Sequence, residues 1–376
     1  MQSSNKRGKG FKWMLIAGIV IVGAGILFAA YFSSQPTTPT PATQPMPTPT
    51  PATQPTPTPA TPAIPKIDPF KVFRIVSSGP TDPVWNSAGE ELKQLIRKNV
   101  HGSSVDSMPG TAVININKIT EETREAECGF TYSFLAKAAM KGVEPFKEKR
   151  TTFAGAANLY EQGLHFIVRA DAPMDSIADL KGKKIKLATG PEPDIDELLT
   201  RWLLSEYGIS YSDIESAGGS VENFYFDLGL VKLQEGSIDA ISYFAPVGSK
   251  ELMQFFEENS LRILPVDGDV IKSLESKRDL SATVIPAGTY KGVIENVRIV
   301  GSNAILVCST ELPRDVVETV TRIMMQNRDL FTMDRPEMSS LKPETAGKDL
   351  GIPLHQGAEA YYNSIDFVPE VIGSGY

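Results

Sequence analysis

The stretch that decides the fold is Val72-Phe73-Arg74-Ile75-Val76-Ser77-Ser78-Gly79-Pro80-Thr81-Asp82-Pro83. Its first part, Val72–Ser77, is rich in apolar and β-branched residues and predicts a short buried strand. From Pro83 to Asn99 the apolar residues recur at helical spacing, which predicts an amphipathic helix. A strand that passes through a Gly/Pro turn into a helix is typical of α/β proteins, so this stretch predicts that fold class.

The same alternation continues through the 307 residues from Phe70 to Tyr376. Because strands alternate with helices, we expect mostly parallel strands covered by helices, arranged in two sheets with a ligand between them. The further predicted strands are Ala126–Thr131, Thr152–Leu159, Leu164–Arg169, Lys184–Ala188, Ile238–Phe244, Leu261–Val266 and Arg298–Cys308. The further predicted helices are Asp196–Tyr207, Ser249–Glu258 and Pro313–Leu330.

Small polar residues follow the first predicted strand at the place where open α/β sheets bind ligands. Gly79 permits a close approach of backbone to ligand, and Ser78 and Thr81 offer hydroxyl groups. The helix that follows presents unpaired N–H groups, which favour an anion. In the alternative interpretation, Thr81 or Asp82 caps the helix and no ligand is present. Gly110 and Thr111 precede another predicted helix in the same way.

Two aspartates precede the helix that begins the second half of the body, Asp194 and Asp196. They suit a helix N-terminus as cap and dipole partners. If they face the ligand instead, they repel a carboxylate and favour an ammonium group. Four aromatic residues near predicted strand ends are candidates for stacking on a ligand, although core packing is the alternative for each of them: Trp85, Tyr132, Tyr160 and Phe244.

The sequence gives little support for catalysis or for a metal site. The chain has no GxSxG, P-loop or HExxH pattern, and its three histidines are scattered. His165 lies in an apolar run, where a satisfied, half-buried histidine is expected rather than a base, and His355 lies in a cap region of the last helix. Cys128 and Cys308 lie in strand-like runs; we expect buried free thiols, with pairing in an oxidising compartment as the alternative. We therefore expect a protein that is not an enzyme and that holds neither cofactor nor metal.

Composition divides the N-terminal part of the chain into three segments. The formal charge of the chain is −8, and the charged residues of segment 1–12 are all basic, so the rest of the chain is more acidic still. An acidic body of this kind argues against a nucleic-acid partner, which needs clustered positive charge. Trp13–Phe32 is a run of 20 uncharged residues. As a helix it would span about 30 Å, enough to cross a bilayer, with the basic tail in the cytoplasm. A cleaved signal peptide is the alternative.

Residues 33–69 hold 13 of the 28 prolines, and the ten-residue unit Thr40–Pro49 repeats as Thr50–Pro59. Proline at this density predicts an extended, disordered linker without a core. A Pro-rich recognition ligand or an O-glycosylated stalk are the alternatives. The N-terminal arrangement predicts that the body is extracytoplasmic and anchored through residues 13–32.

Five stretches of the body carry recognisable motifs: Ser176–Ile185, Ile263–Gly268, Ile285–Tyr290, Leu312–Val317 and Ile352–Tyr362. Together they resemble the TAXI family, the solute receptors of one class of tripartite ATP-independent periplasmic (TRAP) transporters. Ser176–Ile185 looks like a signature found broadly in solute-binding proteins, while Ile285–Tyr290 and Ile352–Tyr362 resemble more specific TAXI motifs. Ile263–Gly268 and Leu312–Val317 fall in the order that the family shows. The resemblance covers nearly the whole predicted body.

The resemblance implies a two-lobed, type II periplasmic-binding-protein fold with a hinge and an interlobe cleft. It assigns residues 70–168 and 300–376 to lobe 1 and residues 169–299 to lobe 2. It implies a small polar solute, an amino acid or organic acid, and two partners, the small and large integral membrane subunits of a TRAP transporter. The family's Gly-Gly-Thr loop reads Gly79-Pro80-Thr81 here, and its Tyr-Tyr pair reads Trp85-Asn86.

These observations favour a membrane-tethered extracytoplasmic receptor that captures a small solute by lobe closure and delivers it to a permease. One alternative is a solute sensor that serves a signalling partner. Another is a structural head on the Pro/Thr stalk.

Overall fold

The computed structural model describes residues 63–64, 66–79 and 83–365. The predicted basic tail, the predicted membrane segment at 13–32, most of the linker and Thr81 lie outside the described residues and stay predictions. None of the helices within the described ranges combines the length and the apolar character needed to cross a bilayer.

The described residues form an α/β structure, as predicted. Its strands are β1 Phe73–Val76, β2 Val105–Met108, β3 Cys128–Tyr132, β4 Phe153–Arg169, β5 Lys186–Thr189, β6 Ser220–Asn223, β7 Ala240–Pro246, β8 Leu261–Ile263, β9 Ser281–Ile285 and β10 Val297–Ser309. Its helices are α1 Pro83–Asn99, α2 Ala112–Thr120, α3 Ser133–Lys141, α4 Ile195–Glu206, α5 Tyr211–Ser216, α6 Phe226–Gln234, α7 Lys250–Glu258, α8 Gly268–Arg278, α9 Arg314–Gln326, α10 Arg328–Thr332, α11 Pro343–Ala346 and α12 Gln356–Asn363.

The expectation of two separate, mostly parallel sheets is wrong. The strands of the described ranges form one sheet in the order β2-β1-β3-β10-β4-β7-β5-β6, with β8 paired to β4 and β9 to β10. β1 pairs in parallel with β2 and β3, and β5 pairs in parallel with β6 and β7. The long strands β4 and β10 are antiparallel to all their neighbours and join the two parallel groups into one hydrogen-bonded ladder.

Gly163 of β4 lies opposite Gly301 of β10, where β4 changes partners from β10 to β7. A Cβ at Gly163 would approach Ile299 Cδ1 to 2.2 Å, so glycine permits this close packing without ending the strand. The predicted break after Leu159 is therefore wrong. We refer to the strand groups on either side of this crossing as lobes 1 and 2; the boundaries at 168/169 and 299/300 stay predictions.

The two cysteines form a disulfide, so the expectation of free thiols is wrong. Cys128 of β3 lies directly opposite Cys308 of β10 in the antiparallel register, which brings together residues 180 positions apart in the chain. The bond therefore ties the middle of the chain to its C-terminal third within lobe 1.

The hydrophobic core formed by the described residues has two parts. The larger buried cluster extends from Phe70 to Tyr361 and includes residues of both lobes, such as Phe134 of α3 and Trp202 of α4. The smaller cluster lies in lobe 2 and includes Ile241 and Phe256.

Candidate functional site

Most residues predicted to bind a ligand lie towards the carboxyl ends of β3 and β7 or just after β1, β2 and β5, whereas Tyr160 lies within β4. At the end of β1, Ser78 is buried, and its backbone carbonyl accepts a hydrogen bond from the Asn86 side-chain amide (3.2 Å). Gly79 is half-buried beside it. Thr81 of the same predicted loop lies outside the described residues. The structure therefore describes the start of this loop and helix α1, but not the threonine that the sequence singled out.

Gly110 and Thr111 begin α2, as predicted. Thr111 is its N-cap, and the side-chain oxygen accepts from the backbone N–H of Ile114 at 3.4 Å. A Cβ at Gly110 would lie 1.9 Å from Oδ1 of Asn115, so only glycine fits at this position. Here the close approach is to a side chain of the protein itself.

Asn115 was not among the predicted site residues. Its side chain is fully buried, and Nδ2 donates to the backbone carbonyls of Ser77 (2.6 Å) and Phe130 (2.8 Å). Asn115 therefore ties the middle of β3 to the residue that follows β1. A single asparagine among the apolar residues of the buried side of α2 is the sequence signal that would have found it.

Three of the four predicted aromatic residues form one group, the aromatic cluster, made of Trp85, Tyr132 and Phe244. The ring centroids of Trp85 and Tyr132 are 4.8 Å apart, and Phe244 meets Tyr132 edge to face at 5.0 Å. Trp85 and Tyr132 belong to lobe 1 and Phe244 to lobe 2, so the cluster joins the lobes. The three residues are 2–5% exposed. The fourth, Tyr160, is buried on β4 opposite Ala304.

The two aspartates at the start of α4 have different roles in the structure. Asp194 is the N-cap, and its carboxylate accepts from the backbone N–H of Ile195 at 2.7 Å. Asp196 reaches across to β7, where Oδ1 accepts from the backbone N–H of Phe244 at 2.7 Å. Burial raises the pKa of the Asp194 carboxyl, and its backbone hydrogen bond only partly opposes this. Asp196 thus connects α4 directly to the aromatic cluster.

The aromatic cluster fills the space between the lobes at this point, and we call this arrangement of the lobes closed. Two cavities in the described part lie elsewhere. One of about 370 Å³ is beside Arg124 and Glu127 in lobe 1. Another of about 580 Å³ is a groove between α7 and residues Ala287–Ile294. A ligand at the predicted site therefore requires Phe244 and Tyr132 to separate.

A charged group outside the predicted site also joins the lobes, and we call it the Glu144 clasp. Glu144 follows α3 in lobe 1. One carboxylate oxygen accepts from Nη1 of Arg201 (3.1 Å), and the other accepts from Nε1 of Trp202 (3.1 Å) and from Nη1 of Arg278 (3.2 Å). Burial acts to raise the pKa of the Glu144 carboxyl, but the hydrogen bonds from Arg201 and Trp202 outweigh burial and hold the pKa below its usual value.

A second ion-pair group lies next to the clasp. Asp279 follows α8 in lobe 2 and pairs with Lys141 and, at 3.6 Å, with Lys137 on α3 of lobe 1. The guanidinium of the preceding Arg278 lies 4.2 Å from the ring of Trp202. The closed junction is therefore held by polar contacts at its edge as well as by aromatic contacts within it.

The Ile285–Tyr290 motif contributes a buried hydrogen-bond network in lobe 2. The Tyr290 hydroxyl accepts from the backbone N–H of Gly248 (2.9 Å) and lies 3.0 Å from Nε2 of His165. His165 Nδ1 lies 2.8 Å from the carbonyl oxygen of Gly163, at the strand crossing. Burial lowers the pKa of His165 to about 4. His165 thus has its hydrogen bonds satisfied, as expected, but it is fully buried and not half-buried.

His355 is the N-cap of α12, as predicted, and its Nδ1 accepts from the backbone N–H of Gly357 at 3.1 Å. In the described part of the chain, no three His, Cys, Asp or Glu side chains are grouped so that they could hold a metal ion.

The sequence from residue 76 to residue 365 matches the model of the NMT1-like family. The chain belongs to the NMT1-like family. The match includes the aromatic cluster, the Glu144 clasp and both cysteines. It leaves open the narrower resemblance to TAXI receptors.

Several solved structures are similar to this chain at low identity. XAC2383 from Xanthomonas citri bound to ATP is 13% identical and covers 79% of this chain and 100% of its own, with a TM-score of 0.48. A TctC solute-binding protein from Polaromonas without ligand is 14% identical and covers 78% and 96%, with a TM-score of 0.47. MatC from Rhodopseudomonas palustris with bound malate is 13% identical and covers 78% and 96%, with a TM-score of 0.46. Because these TM-scores are below 0.5, the family assignment rests on the sequence match.

Proposed function

We propose that this protein is an extracytoplasmic solute-binding receptor that captures a small polar solute by closure of two lobes. The observation that carries the proposal is the convergence of Trp85 and Tyr132 from lobe 1 with Asp196 and Phe244 from lobe 2. Residues from the carboxyl ends of strands meet there, next to helix starts, where α/β sheets bind ligands. A solute held between them contacts both lobes only in the closed state, so it shifts the population towards closure.

The disulfide supports the location outside the cytoplasm. Disulfides persist in oxidising compartments and are rare in the cytosol, where thiols are kept reduced. The Cys128–Cys308 bond joins buried positions of neighbouring strands. This fits an extracytoplasmic body, in agreement with the orientation that the basic tail and the apolar run predict.

The proposal includes tethering through residues 13–32 and delivery of the solute to the small and large TRAP membrane subunits. Its support is the apolar run and the TAXI-like motifs of the sequence. Tethering is tested by washing membranes of the native host with alkaline carbonate. The full-length chain is expected to stay in the membrane pellet, and its release into the wash would contradict an uncleaved anchor.

Solute binding is tested by thermal unfolding of the full-length chain with a panel of amino acids, dicarboxylates and amines. A solute at about 100 times its dissociation constant stabilises the folded state by about 2.7 kcal/mol, so at least one solute should raise the melting temperature. The exposed Asp315→Asn variant is the control and should respond as the wild type does.

A second candidate function is a structural head on the Pro/Thr stalk, which the filled gap between the lobes favours. In this case no solute of the panel raises the melting temperature, and the lobes stay together with or without solute. The same panel therefore distinguishes the two functions.

A further inference from the structure

Two hydrogen-bonding side chains flank Phe244 at the lobe junction, one that accepts and one that donates. Its backbone N–H donates to Oδ1 of Asp196, and its carbonyl accepts from Nε2 of Gln162 at 3.2 Å. A carboxylate and a side-chain amide therefore flank the residue whose ring meets Tyr132. Both groups lie next to the surfaces that separate when the lobes open.

Gln162 has an acceptor that the protein does not use. Its side chain is only 6% exposed, and Oε1 receives no hydrogen bond from any residue that the structure describes. A buried acceptor of this kind costs free energy until a donor reaches it. Because Nε2 of the same amide is bonded to the carbonyl of Phe244, Oε1 lies beside the aromatic cluster.

Asn115 shows the same feature on the lobe 1 side. Its Nδ2 makes two hydrogen bonds to backbone carbonyls, while Oδ1 is buried without a donor among the described residues. Two orphaned amide oxygens, one on β4 and one on α2, can each accept a hydrogen bond from an N–H donor.

The charges around the junction also favour a ligand that donates N–H groups. Asp194 and Asp196 both lie at the start of α4, and the cation that follows on this helix, Arg201, is engaged by Glu197 and Glu144. A solute carboxylate would meet these aspartates as a like charge in a poorly hydrated place. A cation would be attracted by the carboxylates and by the faces of the aromatic rings.

We propose that the solute carries an ammonium group, which binds between Phe244 and Tyr132 and donates hydrogen bonds to Asp196 and to Oε1 of Gln162. The solute class is a small alkyl amine. This proposal rests on the proposed receptor function and names its ligand chemistry. Opening of the lobes separates the two rings, and closure around the solute, short of the ring contact seen here, places the ammonium group against the ring faces and the acceptors.

The test compares amines with acids of the same length. Thermal unfolding of the full-length chain is measured with n-butylamine and putrescine, and with butyrate and succinate at the same concentration and ionic strength. At least one amine should raise the melting temperature and neither acid should. Stabilisation by an acid and not by an amine would overturn the ammonium proposal and leave the receptor function intact.

Variants locate the site. Asp196→Asn keeps an acceptor for the N–H of Phe244 but removes the charge, and it should weaken amine binding about tenfold or more. Gln162→Met removes the amide at similar volume and should weaken it severalfold. The control is Asp269→Asn on α8, whose carboxylate is fully exposed. If amine binding changes no more in Asp196→Asn and Gln162→Met than it does in Asp269→Asn, the proposed site is wrong.

The double variant Asp194→Ser, Asp196→Thr reverses the charge preference in this account. It should lose amine binding and gain binding of succinate or butyrate. An unchanged ligand profile would show that the two aspartates act only in the structure of α4 and would overturn the proposal. If no amine, acid or amino acid stabilises any of these proteins, the receptor function itself fails.

Discussion

Removal of the Glu144 carboxylate should loosen the closed conformation, because this side chain joins lobe 1 to three residues of lobe 2. The carboxylate is 44% exposed, so its two ion pairs are each worth about 0.2–1 kcal/mol after screening by solvent. The hydrogen bond from the Trp202 indole adds about 1 kcal/mol. Glu144→Ala should therefore shift the closed-to-open equilibrium by about 2 kcal/mol, or about 30-fold.

The conservative variant separates charge from hydrogen bonding. Glu144→Gln keeps an acceptor for the indole of Trp202 but loses both ion pairs. It should therefore shift the closed-to-open equilibrium about half as far in free energy as Glu144→Ala does. Glu148→Ala is the matched control, because Glu148 lies in the same connection and pairs with Arg150 of the same lobe. It should behave as the wild type does.

The assay is a distance measurement by electron paramagnetic resonance between spin labels at Lys98→Cys on α1 and Glu215→Cys on α5. Glu144→Ala should show a larger population at long distance than the wild type does. Because the pKa of Glu144 is lowered, its contribution is complete above pH 4.5 and is lost as the pH falls through the lowered value. A distribution for Glu144→Ala that equals those of the wild type and Glu148→Ala would refute this account of the clasp.

Three further predictions concern the stability of the fold. Since the pKa of buried His165 is about 4 against 6.5 in the unfolded chain, the unfolded chain takes up the proton first. The stability that neutral His165 contributes should fall by about 3 kcal/mol from pH 6.5 to pH 4, and His165→Leu should remove this part of the slope in urea titrations. Cys128→Ala with Cys308→Ala should lower the free energy of unfolding by about 2–5 kcal/mol, whereas an unchanged urea midpoint would contradict a structural disulfide. Phe244→Ala should cost about 3–5 kcal/mol in the same titration, because it empties buried space in the aromatic cluster; a loss below 1 kcal/mol would contradict tight packing there.

Local patterns predicted the elements with strong periodicity. Helix α1 has the predicted bounds, Pro83–Asn99, because its apolar stripe is regular and proline marks its first turn. The short strands β2, β6 and β9 were missed because each has only four or five residues and carries polar side chains. In these strands the tertiary pairing, and not the sequence pattern, determines the conformation.

Contacts between distant parts of the chain were not predictable from spacing. Cys128 and Cys308 pair because the register of β3 and β10 places them opposite each other. That register cannot be predicted from two cysteines that lie 180 positions apart in the sequence. Glu144 was missed for a similar reason, since its partners on α4 and α8 lie 57 to 134 positions away. The meeting of Tyr132 with Phe244 could be predicted, because both residues lie near strand ends, where α/β sheets bind ligands.

The most direct test of capture by lobe closure measures whether a small solute changes the distance between the lobes. The labels at positions 98 and 215 are placed in the otherwise unaltered full-length chain, and bound solute is first removed by unfolding and refolding with the disulfide kept oxidised. Without solute, we expect a distribution that includes a long, open distance. At least one of putrescine, succinate and glutamate should, when added, shift this distribution to the short distance. A single short distance that none of them alters would contradict a receptor that works by closure.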